Sequence, residues 1–267
     1  MQRREFLSVV AALPACVGTV SAEEKIIPAS AKDAPAAVEA VAKPVPNAGE
    51  MLPKMLAESR IAVAKLRDYT GHLIRQERVQ GKPTVEQILE VRYRTTPQAI
   101  NLKIVKPLAL AGEETTWHSG ESKTKVRHRP AGIEGVRGFR TYDHNDAKVM
   151  THTRHPANEV GFAALLERVE TMLAVEKQVH GGAAVYGSEF TFAGKPVIRF
   201  EILADRPHPA RYAAKCVVYL ETESKLPVRF EAYDAPKAPG TAGDLIESQS
   251  HIDLKTNVGL GENNFKQ

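Results

Sequence analysis

Cysteine is the first scarcity. The 267-residue chain has two, Cys16 and Cys216, and Cys16 lies in a leader that is either trimmed away or lipid-modified. Cys216 is left without an internal partner, so no disulfide staples the fold, although an exported chain is free to use them. Its setting, Ala214-Lys215-Cys216-Val217-Val218-Tyr219, predicts a strand with a buried, inert thiol. Long apolar runs are missing too. The leader core, Leu7 to Leu13, falls well short of the roughly 20 residues that span a bilayer as a helix. Charge imbalance is slight, with 36 Lys and Arg against 32 Asp and Glu, a net +4. So mild a surplus argues against a nucleic-acid partner, while it suits an anionic membrane surface. Catalytic signatures are absent as well. There is no Gly-x-Ser-x-Gly elbow, no HExxH, no phosphate-cradling glycine loop and no Cys–His arrangement that suggests a nucleophile. No cofactor motif and no internal repeat stand out. The sequence predicts a non-enzymatic chain without cofactor or metal.

What is present starts with the leader. Arg3-Arg4-Glu5-Phe6-Leu7 and the short apolar core after it form an export signal of the twin-arginine type, residues 1–22. Val20-Ser21-Ala22 offers small residues for an ordinary cut. Leu13-Pro14-Ala15-Cys16 offers the alternative, lipidation at Cys16. Both place the working protein in the periplasm or cell envelope. Residues 23–50, rich in Ala and Pro, cannot bury enough surface to offset their ordering entropy and predict a disordered linker. Residues 51–267 then form one domain.

That domain shows two helical stripes among many strands. Leu52, Met55, Leu56, Ser59, Ala62, Val63, Leu66 and Tyr69 recur at three-and-four spacing over 51–68. Phe162, Leu165, Leu166, Val169, Met172 and Leu173 do so again, with Asn158 as the expected N-cap. Between and after them lie strands with period-two alternation, at 69–79, 87–94, 100–104, 113–119, 123–129, 137–142, 184–192, 196–204, 212–221, 227–234 and 245–254. Hairpin-length links favour an antiparallel meander. The fold class expected is α+β, mostly antiparallel: one strongly curved, unclosed half-barrel sheet with two main helices on its concave face.

The alternation nominates a binding surface. Leu89, Val91, Tyr93, Ile100, Leu102, Ile104, Phe162, Leu166, Ile198, Phe200, Ile202, Val217 and Tyr219 are the candidates for an apolar concave lining. Such a hollow either admits an acyl chain, at roughly 0.8 kcal/mol for each buried CH₂, or is packed solid as a core. Lys123, Lys125, Arg127 and Arg129 alternate along one strand. They suit anionic headgroups at a membrane, or serve as a solvated face that discourages edge pairing. His144, His152 and His155, with Asp143 and Asp146 nearby, match no defined metal spacing and suit positioning roles before a helix.

Several segments resemble an exported bacterial family known only as domain of unknown function 1571. They are Leu66-Arg67-Asp68-Tyr69-Thr70-Gly71, Gln76-Glu77-Arg78, Thr153-Arg154-His155-Pro156, Leu226-Pro227-Val228-Arg229-Phe230-Glu231 and Asp253-Leu254-Lys255-Thr256-Asn257-Val258-Gly259-Leu260. The element order and the last two segments are also similar to the lipoprotein-localisation and outer-membrane-sorting superfamily (LolA/LolB-like). That resemblance implies an unclosed barrel with helices in its mouth, and a lipid or a lipidated protein as partner. The same superfamily implies an alternative, an envelope sensor or scaffold that binds a protein. A third reading, a metal-dependent hydrolase around His144–His155, rests on the histidines alone.

Overall fold

A computed structural model describes residues 43–204, 208, 210–238 and 241–266. The export signal, Cys16 and residues 23–42 of the expected linker lie outside the described residues. The strands are β1 (Lys43–Pro44), β2 (Asp68–Val79), β3 (Lys82–Pro83), β4 (Gln87–Thr95), β5 (Gln98–Lys106), β6 (Glu114–His118), β7 (Lys125–Arg129), β8 (Arg140–Asp143), β9 (Ala184–Phe192), β10 (Lys195–Leu203), β11 (Lys215–Glu221), β12 (Pro227–Tyr233) and β13 (Leu245–Thr256). The helices are α1 (Ala48–Ala64), the single-turn α2 (Gly132–Gly135) and α3 (Phe162–His180).

All the pairings are antiparallel, and one sheet runs β1-β9-β10-β11-β12-β13-β2-β4-β5-β6-β7-β8, with β3 on β2. The path does not close on itself. Its central seam, β13 against β2, joins the C-terminal strands to the N-terminal ones in one continuous sheet. This is the α+β half-barrel anticipated above.

The chain is ordered earlier than its composition suggests. Lys43 and Pro44 pair with Glu189 and Ser188, and α1 begins at Ala48 rather than residue 51. Proline is admissible there because β1 is the outermost strand. Gly187 of β9 lets this segment come close, since a Cβ on it would lie 3.0 Å from the Ala48 side chain. The start of α3 also differs from expectation. Gly161, not Asn158, is its N-cap, with φ +120. A side chain at 161 would strike the Tyr93 ring, with Cβ at 2.9 Å. Asn158 instead turns its Oδ1 towards His144 Nδ1 at 3.0 Å.

The core divides in two. Leu52, Met55 and Leu56 of α1 and Leu165, Leu166, Val169 and Met172 of α3 pack on Phe200, Ile202, Val218, Leu220 and Phe230. The other half joins Leu73, Leu89, Val91, Tyr93, Ile100, Leu102, Ile104, Trp117 and Val126 to Val149, Ala157 and Val160 of the connection between β8 and α3. The two helices thus roof one half of the sheet, and an irregular segment roofs the other.

Candidate functional site

The expected lining residues divide between the faces of the sheet. Leu89, Val91 and Tyr93 pair with Ile104, Leu102 and Ile100 on one face, and Phe162 joins them. Leu166, Phe200 and Ile202 lie together under the helices, with Ile198 packed against them. Val217 and Tyr219 are a correction. They pair with Glu201 and Arg199, whereas Phe200 pairs with Val218. Directly opposed residues share a face, so Val217 and Tyr219 point away from the helices. In a strand reading Cys216-Val217-Val218-Tyr219-Leu220, both faces are apolar, and alternation alone cannot choose between them.

Among the described residues, the cavity bounded by Arg75, Leu89, Leu102, Ile104, Glu113, Thr115, Val149, Thr153, His155 and Ala157 holds about 20 Å³, room for about one water and too small for an acyl chain at that point.

The strands also bury charge, which the apolar pattern did not announce. Glu77 and Glu247 are directly opposed across the β2–β13 seam and both are buried. Like charges so placed repel. The neighbours offset this. His155 Nε2 donates to Glu247 Oε2 at 2.7 Å, and the Tyr212 hydroxyl donates to Oε1 at 2.8 Å. Arg168 lies 4.0 Å from the same carboxylate. The backbone N–H of Arg154 donates to Glu77 Oε2 at 2.7 Å. Burial alone would push the Glu247 carboxyl up. The hydrogen bond and charge of His155, the charge of Arg168 and the Tyr212 hydroxyl outweigh it and hold the group at about 2. Burial and the Glu247 charge raise Tyr212. Nearby, Arg211 and Glu176 form a buried pair.

Glu77, His155 and Glu247 are the donors that converge among the described residues, within 4.8 Å of one another. Protein groups already balance their charge, and two of the neighbours are arginines. His144 and His152 do not join them. His144 is taken by Asn158, and burial and Arg75 lower the pKa of His152. The expected histidine group is therefore not one site. Cys216 is buried, and desolvation raises its thiol pKa well beyond reach of neutral pH.

The basic stripe does share the outer face, but each strand cation has an acidic neighbour. Lys125 meets Asp143 at 2.8 Å, Arg127 meets Glu121 at 3.4 Å and Arg129 meets Glu114 at 2.7 Å. Lys123 lies before the strand and is exposed.

A second outer-face cluster went unanticipated. Tyr219 stands with Phe190 and Phe192 at ring centroids 6.0 and 5.9 Å away. Arg199 lies over its ring at 6.0 Å and Arg229 at 5.8 Å. Arg229 is held by Glu231 at 2.6 Å and by Ser250 at 3.0 Å, Arg199 by Glu201 at 2.7 Å. Lys215 sits 4.4 Å from the Tyr233 ring. Val197 and Val217 lie beneath these side chains, fully buried on the face that carries no helix. Tyr186, on the same face of β9, is 61% exposed.

A family described as "Protein of unknown function (DUF1571)" matches residues 66–267. The chain belongs to that family. Two of the segments that carry the resemblance, Gln76-Glu77-Arg78 and Thr153-Arg154-His155-Pro156, meet in the buried ionic cluster. Two others meet where Asp68 accepts the N–H groups of Gly259 and Leu260 at 3.1 and 3.2 Å.

Among solved structures, this DUF1571 chain is similar to lipoprotein LppX of Mycobacterium tuberculosis, at 13% identity and TM-score 0.45, over 78% of this chain and 98% of that one. It is also similar to the MucA/MucB complex structure of Pseudomonas aeruginosa, at 15% identity and TM-score 0.45, over 80% of this chain and 60% of that one. A LolA superfamily protein of Nitrosomonas europaea matches at 8% identity and TM-score 0.34, over 80% and 97%. No curated protein matches the chain. None of these likenesses decides what the DUF1571 chain binds.

Proposed function

We propose that this is a non-catalytic cell-envelope protein that works by binding a protein partner on the outer face of β9–β12. The observation that carries this is where the unspent binding chemistry lies. Among the described residues, Leu165, Leu166, Val169 and Met172 of α3 pack directly on Phe200, Ile202, Val218 and Phe230 of the sheet, which supports a packed concave side. The outer face presents half-buried Phe190 and Phe192, with Arg199 and Arg229, over a buried Tyr219. Aromatic and arginine side chains dominate the energetics of protein interfaces. Here the in-plane pairs to Glu201 and Glu231 fix both guanidinium groups before any partner arrives, which lowers the ordering cost of association. The leader of residues 1–22 supports the envelope as the compartment.

Photo-crosslinking in intact cells tests it. A photoreactive residue at Phe192 is expected to yield one dominant protein adduct, and the same residue at Leu166 none. Arg229→Ala is expected to reduce the Phe192 adduct by about thirtyfold, the size of one interface hot spot. A lipid adduct at Leu166 with nothing at Phe192 would overturn the proposal in favour of cargo within the sheet.

A further inference from the structure

At the opposite end of the sheet from β9–β12, the basic stripe borders a cleft of about 370 Å³ on the outer face, lined by Thr116, His118, Glu121, Ser122, Lys125, Val126, Arg127 and Thr141. We propose that this cleft binds a phosphate group carried on a small polar molecule or a lipid headgroup. Its volume falls in the range of small-ligand sites, about 300–1,000 Å³.

Donors outnumber acceptors in its wall. Thr116 accepts from Asn101 Nδ2 at 2.8 Å. Ser122 accepts from the backbone N–H groups of Thr124 and Lys125 at 3.2 and 3.0 Å. A hydroxyl that accepts in this way has its own hydrogen to give. Lys125 and Arg127 add two permanent cations, and Glu121 is the carboxylate among the lining residues. Such a wall favours a ligand made of acceptors.

The sheet and the C-terminal segment fix this geometry. Thr116, Arg127 and Thr141 lie side by side across β6, β7 and β8. Phe265 is fully buried against this face, and its carbonyl accepts from Arg127 at 2.9 Å. Glu262 pairs with Arg94 at 2.8 Å and His118 at 3.2 Å. Arg127 is therefore held in position, and Lys125, half exposed and paired with Asp143 at 2.8 Å, is the cation that exchanges this surface pair for a ligand.

Titration calorimetry with glycerol phosphate, and flotation with phosphatidylglycerol vesicles, test the site and separate its two possible sources. Binding of soluble glycerol phosphate points to a free phosphoester. Binding to vesicles alone points to a headgroup. In either case Lys125→Glu is expected to weaken binding by about tenfold, as for loss of one charge-assisted contact, and Lys125→Arg to retain it. Lys43→Glu reverses an exposed cation on β1 and is expected to leave binding unchanged. Absence of binding to both probes, or equal weakening by Lys43→Glu and Lys125→Glu, would overturn the proposal. Neither result bears on the protein partner proposed at β9–β12.

Discussion

Glu247→Ala is expected to destabilise the fold by about 3–5 kcal/mol, the cost of breaking a buried ionic network from one side. Glu247 has a fully buried side chain. His155 and Tyr212 lose their acceptor, and Arg168 loses its nearest carboxylate. Some of the loss is returned, because Glu77 no longer faces a like charge. Glu247→Gln keeps an acceptor and the shape, so its expected cost is smaller. Urea unfolding of the three proteins at neutral pH measures this. A cost below about 1 kcal/mol for the alanine variant, the level of an exposed pair, would show that the cluster is not a buried network.

His251→Leu is expected to change the acid profile more than any other single substitution. His251 is buried against the rings of Phe162 and Tyr69, and its Nε2 has no hydrogen-bond partner. Desolvation lowers it from 6.5 to about 4. Above pH 6.5 the ring is neutral in both folded and unfolded chains, and the stability is fully present. As pH falls from 6.5 towards 4, the unfolded chain takes up a proton that the folded one refuses, and stability is lost. The shift corresponds to about 3 kcal/mol across that window. Glu247 acts in the adjoining window. Its folded value lies below its unfolded one, so its contribution holds above about pH 4.5 and is lost as pH falls towards 2. Denaturant midpoints measured from pH 7 to pH 4 are expected to fall for the parent and to fall clearly less for His251→Leu, in which His128 and His152, also lowered by burial, still contribute a smaller loss. A parallel fall in both would place the acid sensitivity elsewhere.

The legible part of this protein was its periodicity. Alternation at Leu89-Glu90-Val91-Arg92-Tyr93 fixes which side chains point inward, and the stripe from Phe162 to Met172 fixes the buried face of α3. The compartment, by contrast, was read from a leader that lies outside the described residues. What alternation cannot express is a strand with two apolar faces. Cys216, Val217, Val218, Tyr219 and Leu220 are all apolar, so alternation cannot say which of them point inward. Only the register with Arg199 and Glu201 separates them. The ionic cluster was hidden for a different reason. Glu77, His155 and Glu247 come from three distant segments, and a glutamate at an inward position of a strand looks like an interruption of the pattern. The segments around Glu77 and His155 both carry the family resemblance, yet nothing in their spacing says that they touch. The ordered start at Lys43 was equally unreadable, since a proline-rich stretch becomes an edge strand only when another strand offers it a place.

Native mass spectrometry of the protein taken from its own envelope, without detergent exchange, tests most directly whether binding happens outside the half-barrel rather than within it. The expected spectrum is the mass of the polypeptide and any covalent modification, alone or with one protein partner, and it does not change for Leu166→Trp. A stoichiometric lipid that disappears in Leu166→Trp would contradict a filled hollow and return the cargo to the space beneath α3.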